Sequence, residues 1–249
     1  MTVADSEVTY REWAGVATIT LNRPSARNAI DSNLAGALHA CLNRAEAAES
    51  VRVIVLTGAD PAFCAGLDIK EFNRTRRPPE GATDAITRIA QLSKPTIGAI
   101  NGAVATGGLE LALALDLLIA SERARFTDTH ASVGILPGGG MTARLPRAVG
   151  SRLALDMSLT GRVLDAEEAL RSGLVSRVVP HGELLPVARE TAETIAAHDP
   201  FVVRELLSLY RYSDNHALPE ALEHEFAERE ARRVAGGQLV PTPRIRARR

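Results

Sequence analysis

The sequence predicts an α/β protein, on three observations. Short β-rich runs alternate with segments of helical apolar spacing, so that strand, strand and helix follow one another nearly three times. Beyond Asp165, helical segments dominate. The 249 residues, 45% hydrophobic and 24% charged, suffice for one domain, or one domain with an appendage, and for a full core.

The first strand is the run Gly15-Val16-Ala17-Thr18-Ile19-Thr20-Leu21, broken by Asn22-Arg23-Pro24. Ile30, Leu34, Ala37, Leu38, Cys41 and Leu42 then recur at helical spacing and predict a helix over 28–48. Val51-Arg52-Val53-Ile54-Val55-Leu56-Thr57 is almost continuously apolar, as a strand covered on both faces would be, and Gly58 ends it. Residues 74–81 are charged and include Pro78-Pro79, which reads as an exposed, mobile loop. A helix over 83–93 leads to a strand over 96–100, a loop-to-helix passage over 101–108, an apolar helix to Leu115 and a strand over 116–120. Helices follow over 165–172, 183–197, 200–212 and 218–234, with one strand over 174–179. Successive units share too little sequence for a repeat array.

Composition narrows the function. A net charge of −1 provides no general attraction to nucleic acid or anionic membrane, and 4% aromatics is too few for stacking platforms. The segment from Pro243 to Arg249 alone is locally basic. Neither Cys41 nor Cys64 lies in a metal-ligand spacing, which argues against a zinc site or a disulfide framework. There is no basic-then-apolar leader and no apolar run of membrane-spanning length, so the expected setting is the cytoplasm.

Three segments could carry chemistry. Gly107-Gly108-Leu109-Glu110 opens a helix. Glycines let backbone approach a ligand, and the free N–H groups of a first helical turn attract developing negative charge. Glu110 lies three residues beyond Gly107, on the same side of an apolar helix. A buried carboxylate needs a partner. Either it bonds a backbone group or a buried arginine, or it moves a proton. Pro61-Ala62-Phe63-Cys64-Ala65-Gly66-Leu67-Asp68 is the second segment. It reads as a plain turn with Asp68 capping the next helix, or as the partner of the Gly107 turn in a two-donor oxyanion hole. Gly134-Ile135-Leu136-Pro137-Gly138-Gly139-Gly140 lacks a Gly-Lys-Ser/Thr ending and reads as a turn seating the next helix. No GxSxG elbow is present.

Taken in order, these pieces resemble the crotonase, or enoyl-CoA hydratase/isomerase, superfamily. The matching residues are Asn22-Arg23-Pro24 with Asn28-Ala29, Phe63 to Asp68, Lys94-Pro95, Asn101-Gly102 through Leu111, Ala124-Arg125-Phe126 and Pro137-Gly138-Gly139. Thr160-Gly161, Ala166 with Glu168-Ala169, and Gly173-Leu174-Val175 continue the pattern, which runs from about Val8 to about Glu230. The resemblance implies a right-handed ββα spiral over 1–195 and a helical trimerisation region over 196–235, while the prolines and arginines of 236–249 read as a disordered basic tail. It implies an acyl-CoA thioester substrate, no cofactor other than the coenzyme A of that substrate, and a homotrimer or dimer of trimers with no membrane or nucleic-acid partner. By position, the N–H groups of Ala65 and Gly107 hold the thioester oxygen. Arg23, Arg27, Cys64, Leu67, Asp68, Ile69, Gly108, Pro137 and Gly138 lie near the substrate or its CoA. Glu110 matches the first of the two catalytic glutamates of hydratases.

At the second glutamate's position this chain has His130, in Phe126-Thr127-Asp128-Thr129-His130. An extended backbone there would turn Asp128 and His130 to one side, where the carboxylate would orient the imidazole. His130 is then either the second acid/base group or a lining residue. The chain also departs from the family after Glu230, where Ala231-Arg232-Arg233-Val234-Ala235-Gly236-Gly237 stands. Hydration of a trans-2-enoyl-CoA is the leading expectation. Isomerisation, decarboxylation, thioester hydrolysis and non-catalytic acyl-CoA binding remain alternatives.

Overall fold

The computed structural model describes residues 7–234. The chain divides into two compact units, 1–200 and 201–249. The tail expected over 236–249 lies outside the described residues.

β1 (Val8–Trp13) and β2 (Val16–Leu21) form an antiparallel hairpin around Ala14 and Gly15. Only the second arm is legible in the sequence, because Arg11, Glu12 and Trp13 of β1 are exposed and blur its pattern. A 3₁₀ turn at Pro24–Ala26 precedes α1 (Ser32–Ala47). This helix starts later than residue 28 for two reasons. Asn28 has φ +56°, outside the helical region, and the Asp31 carboxylate caps the Leu34 N–H at 2.8 Å.

Next come β3 (Val53–Gly58), β4 (Ala62–Cys64), α2 (Ile69–Thr75) and α3 (Ala82–Ala90). The second ββα unit is β5 (Thr96–Ile100), β6 (Ala103–Ala105) and α4 (Gly107–Leu113). The third is β7 (Leu117–Ser121), β8 (Arg125–Thr127) and α5 (His130–Val133). α6 (Met141–Val149), α7 (Ser151–Thr160), β9 (Val163–Asp165), α8 (Ala166–Arg171), β10 (Arg177–Val179) and α9 (Leu184–Ala196) complete the first unit. α10 (Pro200–Ser213) runs into the second unit, where α11 (Leu218–Val234) follows it.

The strands sort into two sheets with the order β1-β2-β3-β5-β7-β10 and β4-β6-β8-β9. Each ββα unit places its first strand in the large sheet and its second in the small one, all parallel within the repeat. This is the expected spiral. The second strands are three residues each, too short to show a period in sequence. The large sheet is covered on both faces. Val16, Val53, Val55, Ile97, Ala99 and Ile119 pack against Leu184, Ala188, Ala192 and Ala196 of α9, while Ile19, Leu21, Ile54 and Leu56 join the main core with α1. That coverage explains why all six residues of β3 are buried. Among the described residues, no helix is long and apolar enough to cross a membrane.

Asn28 ties the turn after β2 to the turn before β4. Its side-chain amide donates to the Ala59 and Ala62 carbonyls at 2.8 and 2.7 Å, and its Oδ1 accepts the Arg23 N–H at 2.9 Å. Asn28→Ala strips these partners and leaves a non-glycine residue at positive φ without local support. Urea unfolding should show a loss of about 3 kcal/mol; a loss within 0.5 kcal/mol of zero (about the surface-substitution range) would mean the amide does not hold this region together.

Candidate active site

The two turns singled out from sequence meet. Gly66 has φ +98°, and a Cβ there would stand 2.9 Å from the Ala105 carbonyl oxygen and 3.4 Å from the Gly107 nitrogen. Only glycine accepts both the angle and the approach. The Cβ position of Gly107 is in turn 3.5 Å from the Leu67 nitrogen. Gly108 backs onto the Cys64 carbonyl, 2.2 Å from where a Cβ would lie. Thr106, at φ +51° and ψ −111°, holds a conformation unfavourable for a β-branched residue. Its N–H donates to the Thr127 carbonyl, its hydroxyl bonds that of Thr129, and the Thr129 N–H donates back to it. The strained residue places Gly107 as the first residue of α4, where N–H groups lack intrahelical acceptors and Thr106 supplies no side-chain cap.

One expected donor is corrected. The Ala65 N–H is engaged by the Arg27 carbonyl at 3.0 Å. The reason is local pairing. Ile30 and Leu67 form a parallel bridge in which Ile30 N–H donates to Gly66 and Asp68 N–H donates to Ile30. The Leu67 N–H faces away from that bridge, toward the Gly107 turn, and makes no hydrogen bond within the described residues.

Three further expectations shift. Arg23 does not present a free guanidinium to a ligand. It pairs with Asp31 at 2.9 Å, Asp68 at 3.2 Å and Glu7 at 3.5 Å, and donates to the Ala29 carbonyl. Asp68 caps α2, accepting from Lys70 and Glu71 N–H, as the plain reading of its turn has it. Burial would raise the Asp68 carboxyl, but these bonds and Arg23 outweigh it and hold it low. The Cys64 thiol is wholly buried, which pushes it up to about 12, so Cys64 shapes the turn through its backbone. Arg27 and Ile69 are exposed beside the turn, Pro137 is partly buried and Gly138 is exposed.

Glu110 and His130 are brought together. Glu110, 4% exposed, accepts on Oε1 from Gly139 N–H at 2.7 Å and Met141 N–H at 3.1 Å. Its other oxygen, Oε2, faces His130 Nε2 at 4.0 Å. Gly139 permits this seat, since a Cβ there would stand 2.9 Å from Oε2. Arg144 donates to the Gly139 carbonyl at 2.8 Å and lies within electrostatic reach of Glu110. Burial lowers the Arg144 guanidinium, and Glu110 partly offsets that.

His130 opens α5 and is not on an extended strand, as the sequence had suggested. It still meets Asp128. His130 N–H donates to Asp128 Oδ1 at 3.1 Å, and His130 Nδ1 lies 2.6 Å from the same oxygen. Ser158 of α7 donates to Asp128 Oδ2 at 2.6 Å. Burial pushes the Asp128 carboxyl up, but the bonds from His130 and Ser158 prevail and hold it below its ordinary value. Sequence reasoning missed Ser158 and Arg144, which sit on helices it did not resolve. A cleft of about 420 Å³ bounded by Ser32, Gly36, His39, Glu80 and Asp84 runs along α1 and α3 and shares no residue with this site.

The depressed Asp128 carboxyl has a stability consequence. Its contribution is complete above the unfolded value, near ~4, and is lost as pH falls through the lower folded value. Asp128→Asn should therefore be less stable than wild type at neutral pH, with the gap closing in acid. Thermal melts across pH would show this, and a gap independent of pH would contradict it.

The model of the enoyl-CoA hydratase/isomerase family matches residues 11–231. A probable enoyl-CoA hydratase of Rhizobium meliloti is 45% identical over 185 residues, covering 73% of this chain and 72% of the relative. A probable peroxisomal enoyl-CoA hydratase of Arabidopsis thaliana is 39% identical over 203 residues, covering 80% and 76%. The crystal structure of an enoyl-CoA hydratase from Mycobacterium tuberculosis matches with a TM-score of 0.77 at 46% identity, over 91% of this chain and 99% of that one.

Proposed function

The chain belongs to the enoyl-CoA hydratase/isomerase family, and from that premise we propose that it adds water to the Cα–Cβ double bond of a trans-2-enoyl-CoA. One observation carries the reading: Glu110 Oε2 and His130 Nε2 face each other at 4.0 Å, with Glu110 on the helix that Gly107 opens. At that separation they do not bond directly, and we assign the bridging position, ~2.8 Å from each, to the attacking water. The N–H groups of Leu67 and Gly107 receive the thioester oxygen as the enolate forms. Glu110 draws a proton from the water as its oxygen attacks Cβ, and His130 serves Cα.

The reaction so drawn uses backbone N–H groups, one carboxylate and one imidazole, and calls for no metal or redox cofactor. We assign the Arg27 guanidinium, which is exposed, to a CoA phosphate. Leu206, Tyr210, Leu222 and Phe226 are exposed on α10 and α11, and we assign them to contacts in a homotrimer or a dimer of trimers.

Glu110→Gln keeps the shape and removes the base. It should lower kcat on crotonyl-CoA by about 10³-fold with KM changed only a few-fold. His130→Ala should lower kcat by about 10²-fold. Activity untouched by the Glu110 change would remove Glu110 from the mechanism.

A further inference from the structure

The site holds two carboxylates and one imidazole in near-complete burial: Glu110, Asp128 and His130 are 4%, 1% and 6% exposed. Asp128 meets Nδ1 of His130, the ring nitrogen opposite the one that faces Glu110, and the hydration scheme gives it no task. Its hydrogen bonds nevertheless point one way. Oδ1 accepts a backbone N–H and Oδ2 accepts the Ser158 hydroxyl. A carboxylate that receives donors on both oxygens accepts from the imidazole too, so His130 Nδ1 carries a hydrogen and donates it. Nε2 is thereby the nitrogen turned to Glu110 and the substrate.

We propose that Asp128, seated by Ser158, makes His130 the proton donor to Cα, and that the Asp128–His130 pair stands in for a single carboxylic acid. This rests on the hydratase reading above. The charge balance supports it. An imidazolium buried alone would be costly, but beside the Asp128 carboxylate the pair is neutral overall. With Glu110 the site then holds one net negative charge and one mobile proton.

The step balances. The water oxygen bonds to Cβ while a water proton passes to Glu110 Oε2. The π electrons move onto the thioester oxygen as an enolate. The enolate collapses by taking the His130 Nε2 proton at Cα, which re-forms the carbonyl. Glu110 ends protonated and His130 neutral, and a new water in the 4.0 Å gap returns the proton from Oε2 to Nε2.

The ionisable groups facing His130 come from three elements. They are Asp128 from the β8–α5 connection, Glu110 from α4 and, behind Glu110, Arg144 from α6. From α7 it is Ser158 that faces Asp128, while Asp156 turns to Arg162. Asp128 and Ser158 are positioning residues, since neither reaches the substrate.

The test reads kcat and KM on crotonyl-CoA against pH for wild type, Asp128→Asn and Ser158→Ala. In the wild type, kcat should fall on the alkaline side as the pair loses its proton. Asp128→Asn, which removes the negative charge beside the imidazole, should move that midpoint down. At neutral pH it should lower kcat roughly tenfold or more while leaving KM within about threefold. Ser158→Ala should shift the midpoint the same way by less, and it keeps the proposal testable if Asp128→Asn folds poorly. Nitrogen NMR of histidine-labelled wild type, with His130→Gln to assign the signal, reads the tautomer without turnover and should show a protonated Nδ1. An unmoved alkaline limb in both variants, or a bare Nδ1, would overturn the proposal even with hydration intact. Absence of hydration in the wild type would instead overturn the reading on which it rests.

Discussion

Two turns of backbone press against each other where Gly66 faces Ala105 and Gly107, and the rest of the site is built around that seam. A single Cβ at Gly66 would stand within 3 Å of a carbonyl oxygen, about the limit real contacts respect. The chain accepts strain to make the approach. Thr106 takes a backbone conformation that β-branched residues avoid, and three hydrogen bonds to Thr127 and Thr129 hold it there. The result is that the Leu67 and Gly107 backbones come close, the Leu67 nitrogen standing 3.5 Å from where a Gly107 Cβ would lie.

The spiral makes this possible. Parallel strands of successive ββα units end at the same edge of the small sheet, so the turns after β4 and β6 become neighbours although about 40 residues separate them. The next turn, after β8, brings Asp128 and His130 to the same edge, and Thr129 bonds Thr106 across it. Glu110 is then fixed by its own helix on one side and by Gly139 and Met141 on the other. Its two oxygens have different duties. Oε1 is spent on backbone N–H groups, which is the plain role a buried carboxylate takes, while Oε2 is left toward His130.

Much of this was legible in the sequence. β5 and α11 fall at the expected residues, because one is a compact apolar run and the other has uninterrupted helical spacing. The burial of Glu110, and its need for backbone partners, followed from a charge in an apolar helix. The pairing of Asp128 with His130 also followed, although the backbone between them turns into α5 instead of staying extended. The choice of donor did not. Ala65 and Leu67 look alike in sequence, and which N–H is free depends on how residues 27–30 pair beside them, a contact across nearly 40 residues. Arg23 was read as a ligand contact for the same reason. Its carboxylate partners Glu7, Asp31 and Asp68 lie on three separate segments, and no local pattern marks them as its partners. Ser158 was invisible because nothing local marks a serine on a helix as the partner of a buried aspartate.

The claim that the seam between the two turns binds a thioester oxygen is open to direct observation. The structure of the protein with a slowly reacting acyl-CoA should place that oxygen at ~2.7–3.2 Å from both the Leu67 and the Gly107 nitrogen, with Ala65 N–H still on the Arg27 carbonyl. An oxygen bound elsewhere, or one that draws the Ala65 N–H away from Arg27 while Leu67 stays unbonded, would contradict the account.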